Sequence, residues 1–303
     1  MSSYPYASKF INTKYLFKLF EKLKQEKTKE KLENLEKLKK IYFILNWHHY
    51  EKLSLITDYF TEECRVECRF IGKNETPLEY FNKNKNKNEL IKKSYVDNKF
   101  SIKKFREVIY YSQTKYCNKF NVIVAYYVYQ IFKPKNILDS SAGWGDRMIA
   151  AMAYGCDYQG YDPSECLEPH YKKIIKTLIN PDNQKRYSVI KKPFEEVQIN
   201  TKYDLAFTSP PFFDFEIYEK TKNQSLEKFP NLDQWIKDFL LVLVEKNLKA
   251  LKKGGHLVIY VPSYPLFIEY MKNNESVEYL GKIIYQYQTR KVIREIGVWR
   301  KIK

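Results

Sequence analysis

Residues 136–151 read NILDSSAGWGDRMIAA: an apolar run ending in Asp139, a loop holding Ser141, Gly143 and Gly145, then a helical pattern. At the carboxyl end of a strand in a parallel sheet, glycines let a ligand lie against bare backbone. About twenty residues on, the run YQGYD ends in Asp162, where a carboxylate can accept hydrogen bonds from both hydroxyls of a ribose. Together these residues describe a nucleoside pocket. The dinucleotide fingerprint G-x-G-x-x-G would need a third glycine where Met148 stands, and the Gly-Lys-Ser/Thr end of a phosphate loop is missing. The pocket is therefore not expected to grip its ligand by phosphates.

Such a loop needs a sheet to carry it. From Pro134 onward strand-like runs alternate with helical patterns: NILDS, 146–154, YQGYD, 169–178, YSVIK, YDLAFT, 232–251 and HLVIYVP. Two further runs separated by a charged turn follow in KIIYQYQTRKVIREIGVWRKI. The alternation predicts an α/β fold with a doubly wound, mostly parallel, seven-stranded sheet and an antiparallel edge strand. Four of the nine glycines fall within 143–160, which again points to close backbone approach there. Upstream, Leu16, Leu19, Phe20, Leu23, Leu32, Leu35, Leu38 and Ile41 recur at helical spacing among Lys and Glu, so the N-terminal region is expected to be mainly helical. The run NKNKNKNE, residues 82–89, reads as an exposed polar loop, with the lining of a phosphate-tracking groove as the other reading.

Composition bounds the function classes. With 44% hydrophobic and 17% aromatic residues the chain is globular. It has no apolar run of the roughly 18 to 20 residues that cross a bilayer and no secretion signal at MSSYPYASKF, so an intracellular compartment is expected, neither secreted nor membrane-bound. Five scattered cysteines suggest reduced thiols and no metal site; a ligand set built on Cys64, Cys68, His48 and His49 is the weaker reading. The formal charge of +17 favours a polyanionic partner such as nucleic acid. Because the excess is carried by lysine, with only eight arginines, compositional bias explains it equally well.

In this order of glycine loop, second-strand acid and a Pro-Pro motif at the fourth strand, residues 105–303 resemble a class I S-adenosylmethionine-dependent methyltransferase. The resemblance implies that Asp139, Ser141, Gly143 and Gly145 hold the methionine part of S-adenosyl-L-methionine and that Asp162 holds its ribose. By position, Phe194 and Glu195 would flank the adenine. The segment NKFNVIVAYYVY, residues 118–129, resembles the helix that closes over the methionine end, with Phe120 as the residue involved; a plain core helix is the other reading. Residues 1–104 would then be an accessory piece and a possible target-recognition region.

The stretch TSPPFFDFEIY, residues 208–218, resembles the (Asp/Asn/Ser)-Pro-Pro-aromatic motif of methyltransferases that modify planar amino groups, including those of DNA and RNA bases and protein glutamine. An exocyclic amine is a poor nucleophile because its lone pair is delocalised. Acceptors at the Ser209 hydroxyl and the Pro210 carbonyl would grip its hydrogens and aim the lone pair at the methyl group. Pro211 helps stiffen the loop, and Phe212 offers a face for an extruded base. Serine in first place resembles the N4-cytosine group most, with N6-adenine next. Asp214 and Glu216 read as solvated loop acids, with contact to the target amine or orientation of the loop as the other reading, and Phe213 and Phe215 as core-facing. The implied activity is DNA amino-methylation. An RNA base is the runner-up substrate, protein glutamine ranks lower, and a catalytically inactive nucleic-acid-binding module is the alternative from another class.

Overall fold

The structure is a computed structural model that describes residues 3–110, 115–218 and 224–303. Eight strands form its main sheet: β1 (Lys40–Leu45), β2 (Asn136–Asp139), β3 (Asp157–Asp162), β4 (Tyr187–Lys191), β5 (Tyr203–Thr208), β6 (Leu251–Ile259), β7 (Val277–Tyr287) and β8 (Arg290–Lys301). Their spatial order is β1-β7-β8-β6-β5-β2-β3-β4. Only β8 runs antiparallel to its neighbours, and it lies between β6 and β7. The chain order reverses between β2 and β5, so their carboxyl ends open the crevice in which such sheets bind ligands.

Alternation of side chains along each strand supplies two cores. Ile137, Leu205, Phe207 and Val258 face one side, under the helices Thr13–Lys24, Trp47–Arg65, Val122–Phe132 and Asp146–Tyr154. Leu138, Ala206, Leu257 and Ile259 face the other, against the helical run 232–250 and helix Pro265–Asn273. The doubly wound, mostly parallel architecture thus agrees with expectation.

The strand count differs by one, and the eighth strand comes from the N-terminal region. Helix Leu32–Leu38 stops where Lys39 takes a left-handed φ of 57°. The chain then extends as KIYFIL with strictly alternating burial, so Ile41 is a strand residue and not a fourth helical leucine-equivalent. This strand pairs in parallel with β7 from Lys40 opposite Lys282 to Leu45 opposite Tyr287. Gly281, at φ 135°, makes the docking feasible, because a Cβ there would overlap the Lys39 carbonyl. The run NKNKNKNE is also more ordered than expected. Helix Pro77–Asn84 claims its first residues through a capping box between Thr76 and Glu79, and helix Asn88–Lys92 claims its last.

Candidate functional site

A cavity of about 680 Å³ opens at the carboxyl ends of the central strands. Its walls include Phe120, Ser141, Gly143, Asp162, Phe194, Glu195, Ser209, Pro210, Pro211 and Phe212, which the chain brings together from five separate segments. Asp139 and Gly145 lie behind that wall.

The glycine loop explains why. Asp139 is fully buried beneath it and is consumed by local partners: Arg147 Nε donates to Oδ2 at 2.8 Å and Nη2 to Oδ1 at 3.2 Å. The Tyr158 hydroxyl and the Ser141 backbone N–H donate to the same carboxylate. Arg147 also donates to the Ser141 carbonyl, so the pair braces the loop from below. Gly143 and Gly145 take φ of 57° and 92°, left-handed values that a side chain would resist. Asp162 reaches across from β3: its Oδ2 accepts the Gly143 N–H at 2.8 Å and its Oδ1 the Ser164 N–H at 3.0 Å.

The far wall is formed by Phe194, buried against Tyr161, and by Glu195, whose carboxylate pairs with Lys228 at 3.1 Å. Phe120 precedes the helix Val122–Phe132, which Asn121 caps by accepting from the Ile123 and Val124 N–H groups. Its ring meets Phe207 edge-on at 5.3 Å and lies 5.3 Å from the Arg147 guanidinium.

The motif loop leaves β5 at Thr208, whose carbonyl accepts the Tyr260 N–H. The Phe212 ring packs edge-on to Tyr260 at 5.3 Å. Phe213 holds a left-handed φ of 50° and packs on Trp235. Phe215 and Glu216 then reverse their expected roles. Phe215 is half-exposed and meets Phe70, because residues 69–70 pair as a short antiparallel ladder with residues 216–217. Glu216 is buried: its Oε1 accepts both the backbone N–H (2.7 Å) and the side-chain amide (2.6 Å) of Asn118. Burial pushes its carboxyl above the usual range, opposed by those bonds and one from Tyr218. Asp214 stays exposed as expected.

Asn118 is the hub that the sequence did not reveal. Its carbonyl accepts Trp144 Nε1 at 2.8 Å, so one residue ties the motif loop to the glycine loop. A neighbouring buried network anchors the same segment to helix Trp47–Arg65: Lys119 and Arg65 both pair with Asp58, at 2.7 and 2.5 Å. These cations hold the Asp58 carboxyl far below its ordinary value against the opposing effect of burial.

The cysteines depart from expectation. Cys64 and Cys166 form a disulfide with a Cα–Cα separation of 5.9 Å, while Cys68, Cys117 and Cys156 are free and buried. His48 and His49 pair with Glu51 and Glu26 instead of approaching Cys64. A different histidine does approach: ligand atoms of Cys64, Cys166 and His170 lie within 4.8 Å of one another. Among the described residues no helix is long and apolar enough to cross a membrane.

No family model and no curated protein matches the chain. Among solved structures it is similar to TrmN from Thermus thermophilus, at 12% identity over 60% of this chain and 49% of that one, with a TM-score of 0.45. It is similar also to a methyltransferase from Pyrococcus furiosus, at 15% identity over 63% and 89% of the two chains (TM-score 0.43). An rRNA methylase from Streptococcus thermophilus gives 14% identity over 56% and 87% (TM-score 0.37). Likeness at this level decides neither substrate nor activity.

Proposed function

We propose that the chain is an S-adenosylmethionine-dependent methyltransferase acting on an exocyclic amino group of a nucleic-acid base, with DNA the first substrate to test. The observation that carries this reading is that Ser209, Pro210, Pro211 and Phe212 line the same cavity as Gly143 and Asp162. An electrophile held on the glycine loop and an amine held on the motif would therefore meet in one space.

The residues suit the cofactor. Gly143 presents bare backbone to the cavity, and a Cβ added there would meet only the Ser141 carbonyl, 3.8 Å away. Asp162 would hold the ribose, Phe194 and Glu195 would flank the adenine, and Ser141 and Phe120 would border the methionine end. Asp139 and Gly145 would act one layer back by fixing the loop. Bound there, the sulfonium supplies an activated methyl group and a neutral leaving group, so the protein needs no strong base.

The motif's task is then geometric. The Ser209 hydroxyl and Pro210 carbonyl would accept the amine's two hydrogens and turn its lone pair toward the methyl group. Phe212, braced edge-on by Tyr260, would stack on the base after it leaves the duplex. The excess of 53 Lys and Arg over 36 Asp and Glu supports a polyanionic substrate. Residues 69–70, which pair with the motif strand, support a role for residues 1–104 in presenting the target.

Transfer of a radiolabelled methyl group to duplex DNA, single-stranded DNA and RNA tests the proposal. Label in DNA, located by nucleoside mass spectrometry, is expected; label in RNA alone would change the substrate. No label in any of the three would remove the nucleic-acid reading.

A further inference from the structure

Two side chains at the rim of the cavity, and a third close to them, have no part in the proposed reaction. Cys64 lies in the last turn of helix Trp47–Arg65, Cys166 occupies the N-cap position of helix Leu167–Leu178, and His170 follows Cys166 by four residues. That spacing puts Cys166 and His170 on one helix face. Both cysteines line the cavity, and Cys166 ends the short loop that follows Asp162. The His170 ring is oriented by a hydrogen bond to the Phe60 backbone, the kind of support that fixes metal-bound imidazoles.

We infer that reduction of the Cys64–Cys166 disulfide creates a binding site for one zinc ion, with Cys64, Cys166 and His170 as ligands.

The ligand atoms already fall within 4.8 Å of one another. Zinc–sulfur bonds of about 2.3 Å and zinc–nitrogen bonds of about 2.0 Å in a tetrahedron set the ligand atoms roughly 3.5 to 3.8 Å apart. With the Cα atoms 5.9 Å apart, rotation about the Cα–Cβ bonds opens the sulfurs to that span. Two thiolates and an imidazole select zinc over magnesium or calcium, which prefer oxygen. Three protein ligands leave a fourth position for water, on the side where Cys64 and Cys166 border the cavity.

The chemistry balances with a small-molecule thiol as reductant. Two equivalents reduce the protein disulfide to two thiols and leave as their own disulfide; zinc then displaces the two thiol protons to solvent. In either state helix Trp47–Arg65 stays fastened to the loop after Asp162, by a covalent bond under oxidising conditions and by a metal under reducing ones.

The test uses the full chain reduced with a phosphine and titrated with cobalt(II), whose thiolate complexes absorb in the near ultraviolet. One equivalent is expected to saturate the band, and zinc to abolish it; the oxidised protein should show no band. Cys166→Ser and His170→Ala are each expected to weaken binding at least a hundredfold, whereas Cys68→Ser and Cys117→Ser should leave it unchanged. The inference is overturned if the reduced chain develops no saturable thiolate band, or if the band survives in both Cys166→Ser and His170→Ala. A pair that resists the phosphine while the protein remains folded overturns it too.

Discussion

Asp146, the first residue of the helix after Gly145, offers a quantitative test of how the cavity wall is held. It is buried and accepts the Thr57 hydroxyl at 2.7 Å. Burial is the largest influence on it and, with Asp58, outweighs Lys119, Thr57 and Arg147, pushing the carboxyl up from 3.8 to about 6. A raised acid binds its proton more tightly in the folded chain, so stability falls as pH climbs from about 4 to about 6 and stays lower above that. A shift of roughly two units at 1.36 kcal/mol each amounts to about 3 kcal/mol at pH 8 and about 1 kcal/mol at pH 4.5. Asp146→Asn keeps the acceptor for Thr57 and removes the buried charge. It is therefore expected to raise the free energy of unfolding by up to about 3 kcal/mol at pH 8, with the gain shrinking to about 1 kcal/mol at pH 4.5. His256 works in the opposite direction: burial and Arg300 lower it from 6.5 to about 4, so its contribution is lost as pH falls through that window. The two oppose each other in the parent protein, so between pH 4.5 and 6.5 the variant's stability should rise more steeply with pH than the parent's. Urea unfolding at the two pH values reads the difference. A gain equal at both, or no gain at pH 8, would refute the burial argument.

Asp162→Ala removes the acceptor for the Gly143 and Ser164 N–H groups. At about 1.5 to 3 kcal/mol for a charged hydrogen bond, cofactor affinity measured by titration calorimetry should fall tenfold or more; unchanged heat would count against the ribose assignment. Phe212→Ala is expected to abolish methyl transfer while cofactor affinity stays within about twofold, since its ring contact is Tyr260. Equal loss of both would make the residue structural. Glu216→Ala strands two donors of Asn118 and should cost about 2 to 4 kcal/mol in urea unfolding. Glu216→Gln, which keeps an acceptor, should cost less than half of that, and equal costs for the two variants would show that the hub does not depend on those bonds.

The parts of the fold that follow local pattern were legible. Strand and helix alternate from Pro134 onward, and the glycine loop stands at the carboxyl end of the strand that its composition suggested. What escaped depends on partners distant in the chain. Leu32, Leu35, Leu38 and Ile41 continue one helical spacing, yet KIYFIL also alternates, and β7, more than two hundred residues on, decides for the strand. Cys64 and Cys166 are 102 residues apart, and no spacing rule pairs isolated cysteines. Asp139 has the expected type and place, but Arg147 claims its carboxylate from within. Glu216 looked like a loop acid because nothing nearby in sequence identifies Asn118 as its donor.

The parallel pairing of β1 on β7 also sets an order of assembly. Leu45 can find Tyr287 only after the intervening chain exists, and at 5 to 20 residues per second a ribosome needs about 12 to 50 s to make it. Through that interval Ile41, Phe43 and Leu45, all buried in the finished sheet, have no strand to lie against. The earliest strand made is thus among the last to be placed. Synthesis, more than diffusion of the chain ends, sets how long this apolar edge stays open to aggregation.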